Sequence, residues 1–560
     1  MFKRRFIVVV VSVLLAAFVY MGAAAQTGDS LYSYSRLATD IAFRISSRYV
    51  DNIDSKDLIY AGIKGMMDIL DPFSEFLEQK DFDRLQEATK GKYSGLGMTI
   101  MLKDNVVTVV APMEGTPAYR MGLRAGDKII KIDGEPTQGM STQEASNLMR
   151  GEAGTKVAIT IEREGVDTPL DYTIERAVIE LKTVPFYSVF ERNGKKLGYV
   201  RLSRFGEEAD SELDEAFTDL KSQHIEGLIF DLRSNGGGLL DQAVKVANYF
   251  LPKGSEVTST KGRTSDQDRT LYASRDPLID SSIPMVILVN DMSASASEIV
   301  AGSIQDWDRG IIIGNQTFGK GLVQQVYPLS DNTALKLTTA KWYIPSGRCI
   351  QKDIRSTRHP EDLALNEQGQ DTTTYEKEKE MYSTKGGRIV YGGGGVTPDV
   401  EVPEEKLNAL EINLERLSLF FDFSVDYTTR HPELQEDFTV TPQMIEEFHQ
   451  FLKDKDFTYK SELELSLDKV KETLENNNKT EEYADLLDQF ESHITKDKEN
   501  QFNESQDYIK RSIKRDILTK LYGEKAVYRE NILKGDPYVD KAVDILTSTK
   551  EYSSILSPKN

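Results

Sequence analysis

The sequence predicts a multidomain α/β protein, and three observations carry that class. Its 560 residues exceed what one domain of about 100–200 residues holds, so roughly three to five domains are expected. Between about 182 and 400, apolar strand-like runs alternate with amphipathic helical stretches, the pattern of an α/β layer with crossover connections. Residues 401–560 contain 2 of the chain's 39 glycines and are rich in Leu, Glu, Lys and Tyr, which predicts a separate helical domain. At 39% hydrophobic and 9% aromatic residues, the chain has apolar material for several cores and is not a disordered protein.

Taken in order, Met1-Phe2-Lys3-Arg4-Arg5 precedes an uncharged run from Phe6 to Ala25 that closes on Ala23-Ala24-Ala25. That is the layout of an export segment. Residues 1–25 are expected to be a signal peptide cut after Ala25 or, because twenty helical residues reach about 30 Å, an inner-membrane anchor through residues 6–25. The rest of the chain is then expected in the periplasm or cell envelope. Residues 30–88 read as an N-terminal helical domain, with an apolar stripe through Ile59, Ile63, Met66, Met67 and Leu70 that stops at Asp71-Pro72.

Residues 89–180 change to short strands at 106–110, 128–132 and 156–162, interrupted by one helical stretch at 142–150. The α/β region, 181–403, is predicted to hold strands at 197–202, 227–231, 285–289 and 310–314. Its helices are expected near 211–222, 239–250 and 296–308, and the polar segment 352–395 reads as a long surface insertion. The tail, 404–560, is predicted to be an acidic helical domain: residues 401–560 hold 35 acidic and 22 basic residues, hence −13 of the net −21. No repeat of solenoid length is present.

That charge repels phosphate backbones and anionic lipid alike, so no nucleic-acid partner is expected. One cysteine, Cys349, forms no intrachain disulfide, and five scattered histidines give no zinc-binding spacing.

The segment able to carry chemistry is the apolar run 285–289, a turn of small residues, Ser293-Ala-Ser295-Ala-Ser297-Glu298, and a helix with Val300, Ile304 and Trp307 at i, i+4 and i+7. A serine at a helix N-terminus sits beside free backbone amides and a positive dipole end, which favour a developing oxyanion. Ser295 and Glu298 also have capping-box spacing, and on this segment alone capping is the favoured account. A serine nucleophile needs a base. His431, His449 and His493 lie in the tail, while His224 and His359 stay open. Lys320, framed by glycines in Thr317-Phe-Gly-Lys-Gly321, is a better candidate, although without Ser295 a solvated hairpin turn is the favoured account of it. As a base it must be neutral, which requires its pKa to fall from about 10.4 toward about 7–8, roughly 4 kcal/mol of desolvation or local field. Asp231-Leu-Arg-Ser-Asn235-Gly236-Gly237-Gly238, at a strand end, is a tight turn whose glycines let backbone amides approach a ligand.

Together these segments resemble the C-terminal processing peptidases, also called tail-specific proteases, over about residues 35–400. The resemblance rests on Leu70-Asp-Pro-Phe-Ser-Glu-Phe-Leu77, Gly122-Leu-Arg-Ala-Gly-Asp127, Asp231 to Gly237, Ser293 to Glu298, Thr317 to Gln324, Ser346-Gly-Arg348 with Ile350-Gln351, and Thr397-Pro-Asp399. It implies a crotonase-like α/β serine peptidase core with an inserted PDZ domain at 89–180. It assigns Ser295 as nucleophile, Lys320 as general base, Gln324 as the group orienting the lysine, and backbone amides of Ala296 with Gly236 or Gly237 as oxyanion donors. No cofactor or metal is implied. The PDZ-like segment is expected to hold a substrate's C-terminus on the loop of Gly95, Leu96, Gly97 and Met98, with Ala145, Leu148 and Met149 either as groove wall or, on nearly even terms, as ordinary domain core. An adaptor or a second copy stays open as a further partner. Phe73 stands where the family often has histidine, and the long insertion resembles versions from the Bacteroidetes lineage. Two rival readings stay in play: a non-catalytic PDZ scaffold of the envelope, and a Ser/His ester hydrolase.

Overall fold

The computed structural model describes residues 31–352 and 380–558. The expected export segment, His359 and most of the insertion lie outside the described residues. The chain divides into two compact units, Met1–Phe82 with Gln324–Thr339, and Asp83–Val323 with Ala340–Asn560.

In the first unit, a helix over 31–48 is followed by the helix Ser55–Met67, whose N-terminus is capped by Asp54 accepting from the amide of Lys56 (2.7 Å). The helix ends close to the expected stop, but its apolar stripe is not a core: no residue of Ser55–Met67 is buried, and Ile59 and Met66 are exposed. Asp71 then organises a turn by accepting from the Phe73 amide (3.0 Å) and the Ser74 hydroxyl (2.8 Å). The turn delivers Glu75–Leu77 into antiparallel pairing with Ala334–Lys336.

The second unit begins with an antiparallel sheet in the order Met98–Lys103, Val106–Pro112, Lys128–Ile132, Lys156–Glu162, Leu170–Glu175. Alternating Val107, Val109, Ile129, Ile132, Val157, Ile159 and Ile161 point inward, where the helix Thr142–Met149 covers them. That helix starts in a full capping box of Ser141 and Glu144. Met98–Lys103 ends the sheet, so among the described residues its outer edge pairs with no strand.

The central sheet runs Phe186–Arg192, Lys195–Arg201, Gly227–Asp231, Met285–Val289, Ile311–Gly314, Val400–Glu401, parallel from the second strand onward. Every residue of Gly227–Asp231, Met285–Val289 and Ile311–Gly314 is buried, which is why these strands read as unbroken apolar runs. The helices Ala209–Ser222, Leu240–Ala247 and Ala296–Asp306 supply the core on one face, around Phe217, Phe230 and Phe250.

The opposite face, with Tyr199, Ile229, Val286, Leu288, Ile311 and Ile313, packs against Leu533, Val539, Val543 and Leu546 from the far end of the chain. The tail is helical throughout its longer elements and has a core of its own around Phe420, Phe423, Phe448 and Ile513. Its helix Pro537–Thr547 thus completes the α/β layer. The tail also touches the antiparallel sheet: Lys103 ion-pairs with Asp422, and a Cβ on Gly126 (φ 92°) would lie 3.0 Å from Val425. Among the described residues no helix is long and apolar enough to cross a membrane.

Candidate active site

Ser295 closes the turn between the buried strand Met285–Val289 and the helix Ala296–Asp306, with φ 56° and ψ −113°. Few non-glycine residues adopt this conformation, which costs on the order of 1–3 kcal/mol, and a strained strand-to-helix turn is how other hydrolases present a serine hydroxyl. The capping-box spacing is only partly used. The Ser295 amide donates to Glu298 Oε2 (2.7 Å), but the Glu298 amide donates to the Ser295 carbonyl (2.9 Å), and the Ser295 hydroxyl makes no capping hydrogen bond.

Glu298 does more than cap a helix. Its carboxylate is fully buried and accepts four hydrogen bonds. Oε2 takes the amides of Ser295 and Lys320 (2.7 and 2.9 Å), and Oε1 takes the Thr317 hydroxyl and the Gly319 amide (2.5 and 2.7 Å). One carboxylate therefore ties the backbone of Ser295 to that of Lys320. Burial pushes the Glu298 carboxyl above its ordinary value, against those four donors, each of which favours the ionised form. A further backbone bond, from Phe318 to the Ser293 carbonyl (3.1 Å), holds the Lys320 loop to the same turn.

The glycine loop after Gly227–Asp231 is stitched to the serine turn. The Ala294 amide and the Ser297 hydroxyl both donate to the Asn235 carbonyl (3.0 and 2.8 Å), and the Ser293 hydroxyl donates to the Leu232 carbonyl (2.9 Å). The flanking serines are thus clamps between two loops. Gly237 (φ 97°) sits so close that a Cβ there would lie 2.7 Å from the Ala294 carbonyl oxygen, 2.8 Å from Ser295 Cβ and 2.9 Å from the Ala296 nitrogen. Its own amide donates to Asn235 Oδ1 (2.9 Å) and is not available to an oxyanion. The amides of Ala296 and Gly236 have no hydrogen-bond partner among the described residues.

Asp231, at the strand end before this loop, is buried and accepts from Tyr199 (2.7 Å), Arg201 (3.2 Å) and Arg233 (2.6 Å). Burial alone would raise its pKa, but the charges of Arg233 and Arg201 and the hydrogen bonds outweigh it and hold the carboxyl well below the usual range. Gln324 is the third residue of the strand Leu322–Pro328, and its amide nitrogen is buried without a hydrogen-bond partner among the described residues. His224 is exposed in the turn before Gly227–Asp231, at the N-terminal end of the parallel strands. Ser295 follows their C-terminal end, about 16 Å away along five residues of strand.

In the antiparallel sheet, the side chains of Leu96, Ala145 and Met149 are buried in the domain core. Ala145 and Met149, four apart on one helix face, both turn onto the sheet, whereas Leu148 is half-buried beside Met98 and Ile100. Gly95 ends a strand paired with Ala177, and the Gly97 carbonyl is taken by Met113 and Thr116. The amides of Leu96 and Gly97 are without a partner among the described residues. No group of three or more His, Cys, Asp or Glu among those residues is placed to hold a metal ion.

A serine on a strained turn, an adjoining glycine loop and an antiparallel domain with an open edge strand are the features that a serine-type peptidase with a peptide-recognition module would present. Sequence comparison agrees: residues 196–358 match Peptidase family S41, 108–163 the PDZ domain, and 410–546 the C-terminal helical domain of a probable PDZ-protease. The carboxy-terminal-processing protease of Bartonella bacilliformis is 42% identical over 355 residues, covering 62% of this chain and 80% of that protein. The corresponding protease of Synechocystis sp. is 36% identical over 369 residues, covering 62% and 86%. Among solved structures, a photosystem II D1 C-terminal processing protease aligns at 30% identity over 67% of this chain and 89% of its own, with a TM-score of 0.37. The chain belongs to the carboxy-terminal processing protease family of S41 serine peptidases and carries a PDZ domain.

Proposed function

We propose that the chain is an exported endopeptidase that captures the C-terminus of a polypeptide in its PDZ domain and cleaves upstream with Ser295 and Lys320. The observation that carries this reading is the buried Glu298 carboxylate, which accepts from the backbone of both residues beside the open amides of Ala296 and Gly236. Neutral Lys320 takes the proton of the Ser295 hydroxyl as its oxygen attacks the scissile carbonyl. The amides of Ala296 and Gly236 donate to the oxyanion, and the lysine ammonium returns its proton to the leaving amine. Water, deprotonated by the same lysine, attacks the acyl carbonyl, and the lysine ammonium protonates Ser295 Oγ as the ester bond breaks and the acid product leaves. Gln324, four residues beyond Lys320 in the chain, is assigned to orient the lysine, as the family resemblance implies.

In the PDZ domain, the unpartnered amides of Leu96 and Gly97 are the carboxylate donors, Met98–Lys103 is the strand that an extended peptide joins, and Leu148 with Met98 and Ile100 lines the groove. Export and location in the envelope rest on the basic start and the apolar run through residues 6–25. Cleavage of a peptide substrate by wild type, Ser295→Ala and Lys320→Ala tests the site: both variants should lose at least a thousandfold in kcat, and unchanged cleavage in both would sink the dyad. Alanine at His224 or His359 should leave activity intact. Polypeptides trapped by Ser295→Ala that the wild type never cleaves would favour the scaffold reading.

A further inference from the structure

We propose that Asp536, carried on the C-terminal helices, is a positioning residue for the oxyanion loop, acting through Arg233 on the backbone that presents the Gly236 amide. The inference rests on the assignment of that amide under Proposed function.

Arg233 lies three residues before Gly236, and its guanidinium bridges two carboxylates. Nε donates to both oxygens of Asp231 (3.1 Å each) and Nη2 to Asp231 Oδ2 (2.6 Å), while Nη1 donates to both oxygens of Asp536 (3.0 and 2.8 Å). The ring of Tyr538 stacks beneath it at 4.9 Å. The Arg233 and Asp536 side chains are only 15% and 13% exposed, so solvent screens the pair weakly. A planar fork held on both sides leaves the Arg233 backbone little freedom.

The link from Arg233 to the oxyanion loop is short. The Arg233 amide is fixed by Asp231 Oδ1 (2.9 Å), Ser234 (φ 53°) donates its amide to Asn290 Oδ1 (2.6 Å), and the Asn235 amide donates to the Leu232 carbonyl (3.2 Å). Each residue from Arg233 to Asn235 is therefore pinned. A displacement of Arg233 passes to Gly236 and to the Asn235 carbonyl that clamps the serine turn. Charge accounting agrees: Asp231 and Asp536 balance Arg201 and Arg233, and removing Asp536 leaves one cation in excess at the loop.

Docking of the helix does not depend on this pair. Val539, Val543 and Leu546 bury their side chains against the sheet, and Asp540 pairs separately with Arg192 (2.6 Å). Asp536 also caps the helix Pro537–Thr547 by accepting from the amides of Tyr538 and Val539 (2.9 and 3.1 Å). Asparagine caps a helix about as well as aspartate, so Asp536→Asn removes the charge and retains the cap.

The test compares kcat and KM for a cleaved peptide, together with inhibition by a peptide boronic acid, whose serine adduct places an oxygen where the oxyanion forms. Asp536→Asn should lower kcat about 10- to 100-fold, leave KM within twofold, and weaken the boronate by a similar factor. Arg233→Lys, which keeps the charge but loses the planar fork, should show the same split. Asp540→Asn, at the neighbouring ion pair, should leave kcat unchanged. Wild-type kcat in Asp536→Asn overturns the proposal, and so does an equal fall in Asp540→Asn, because that effect would come from helix docking alone. Ser295→Ala, run in parallel, separates the two levels: its retained activity would defeat the reading of the active site, whereas its inactivity beside a wild-type kcat in Asp536→Asn defeats only the positioning role.

Discussion

Replacing Glu298 by glutamine isolates what the buried carboxylate does. Four donors converge on its two oxygens, from Thr317, Gly319, Ser295 and Lys320, at 2.5–2.9 Å. A glutamine has one accepting end. If its nitrogen faces Ser295 and Lys320, two backbone amides lose their acceptor. If it faces Thr317 and Gly319, the hydroxyl turns to accept but the Gly319 amide is orphaned. The second arrangement is the cheaper one. It leaves one buried amide unsatisfied, about 1–3 kcal/mol, and loses a charge-assisted bond from Thr317, about 1.5–3 kcal/mol. Removing a charge that burial disfavours offsets part of this. The net expectation is a destabilisation of about 2–4 kcal/mol and, because Ser295 and Lys320 lose a shared anchor, a fall in kcat of about 100-fold. Urea unfolding followed by circular dichroism reads the first, and steady-state peptide cleavage reads the second. A Glu298→Gln variant with wild-type stability and wild-type kcat would refute the reasoning.

Two further expectations follow from neighbouring residues. Gly237→Ala places a methyl group 2.7–2.9 Å from atoms of Ala294, Ser295 and Ala296 at φ 97°. It should cost about 1–3 kcal/mol in thermal or denaturant stability and lower kcat by about 100-fold, and a variant cleaving at the wild-type rate would detach this loop from the reaction. Asp231 has its folded pKa depressed, so its contribution to stability is complete above its unfolded value of about 3.9 and is lost as pH falls below about 4 toward the folded value. Asp231→Asn should therefore lower stability at neutral pH, with the difference from wild type shrinking below about pH 4. A gap that stays constant from pH 7 to pH 3 would contradict that account.

The α/β class was legible because its strands are apolar on both faces: the runs at 227–231 and 285–289 coincide with strands buried at every position. The serine turn was legible as small residues between such a strand and an apolar helix. Local spacing explained Glu298 fully as a cap, and so concealed its bonds to Thr317, Gly319 and Lys320, 19 to 22 residues away. Periodicity also could not tell a groove wall from a core. Ala145, Leu148 and Met149 share a helix side, yet only Leu148 stays half-open. The same ambiguity affected Ile59 and Met66, whose helical stripe forms without being buried. The pairing of Arg233 with Asp536 spans 303 positions and carries no local signature.

The late closure of the central sheet has a consequence for how the molecule matures. Ile229, Val286, Leu288 and Ile313 gain their cover from residues 533–546, the far end of the described chain. A growing chain that has completed all its strands still shows water a greasy surface until that stretch emerges, which makes the interval before it a hazard for aggregation. Contacts between partners so distant in sequence also form slowly. Arg233, in the loop after the strand Gly227–Asp231, likewise meets its second carboxylate, Asp536, only when that stretch arrives.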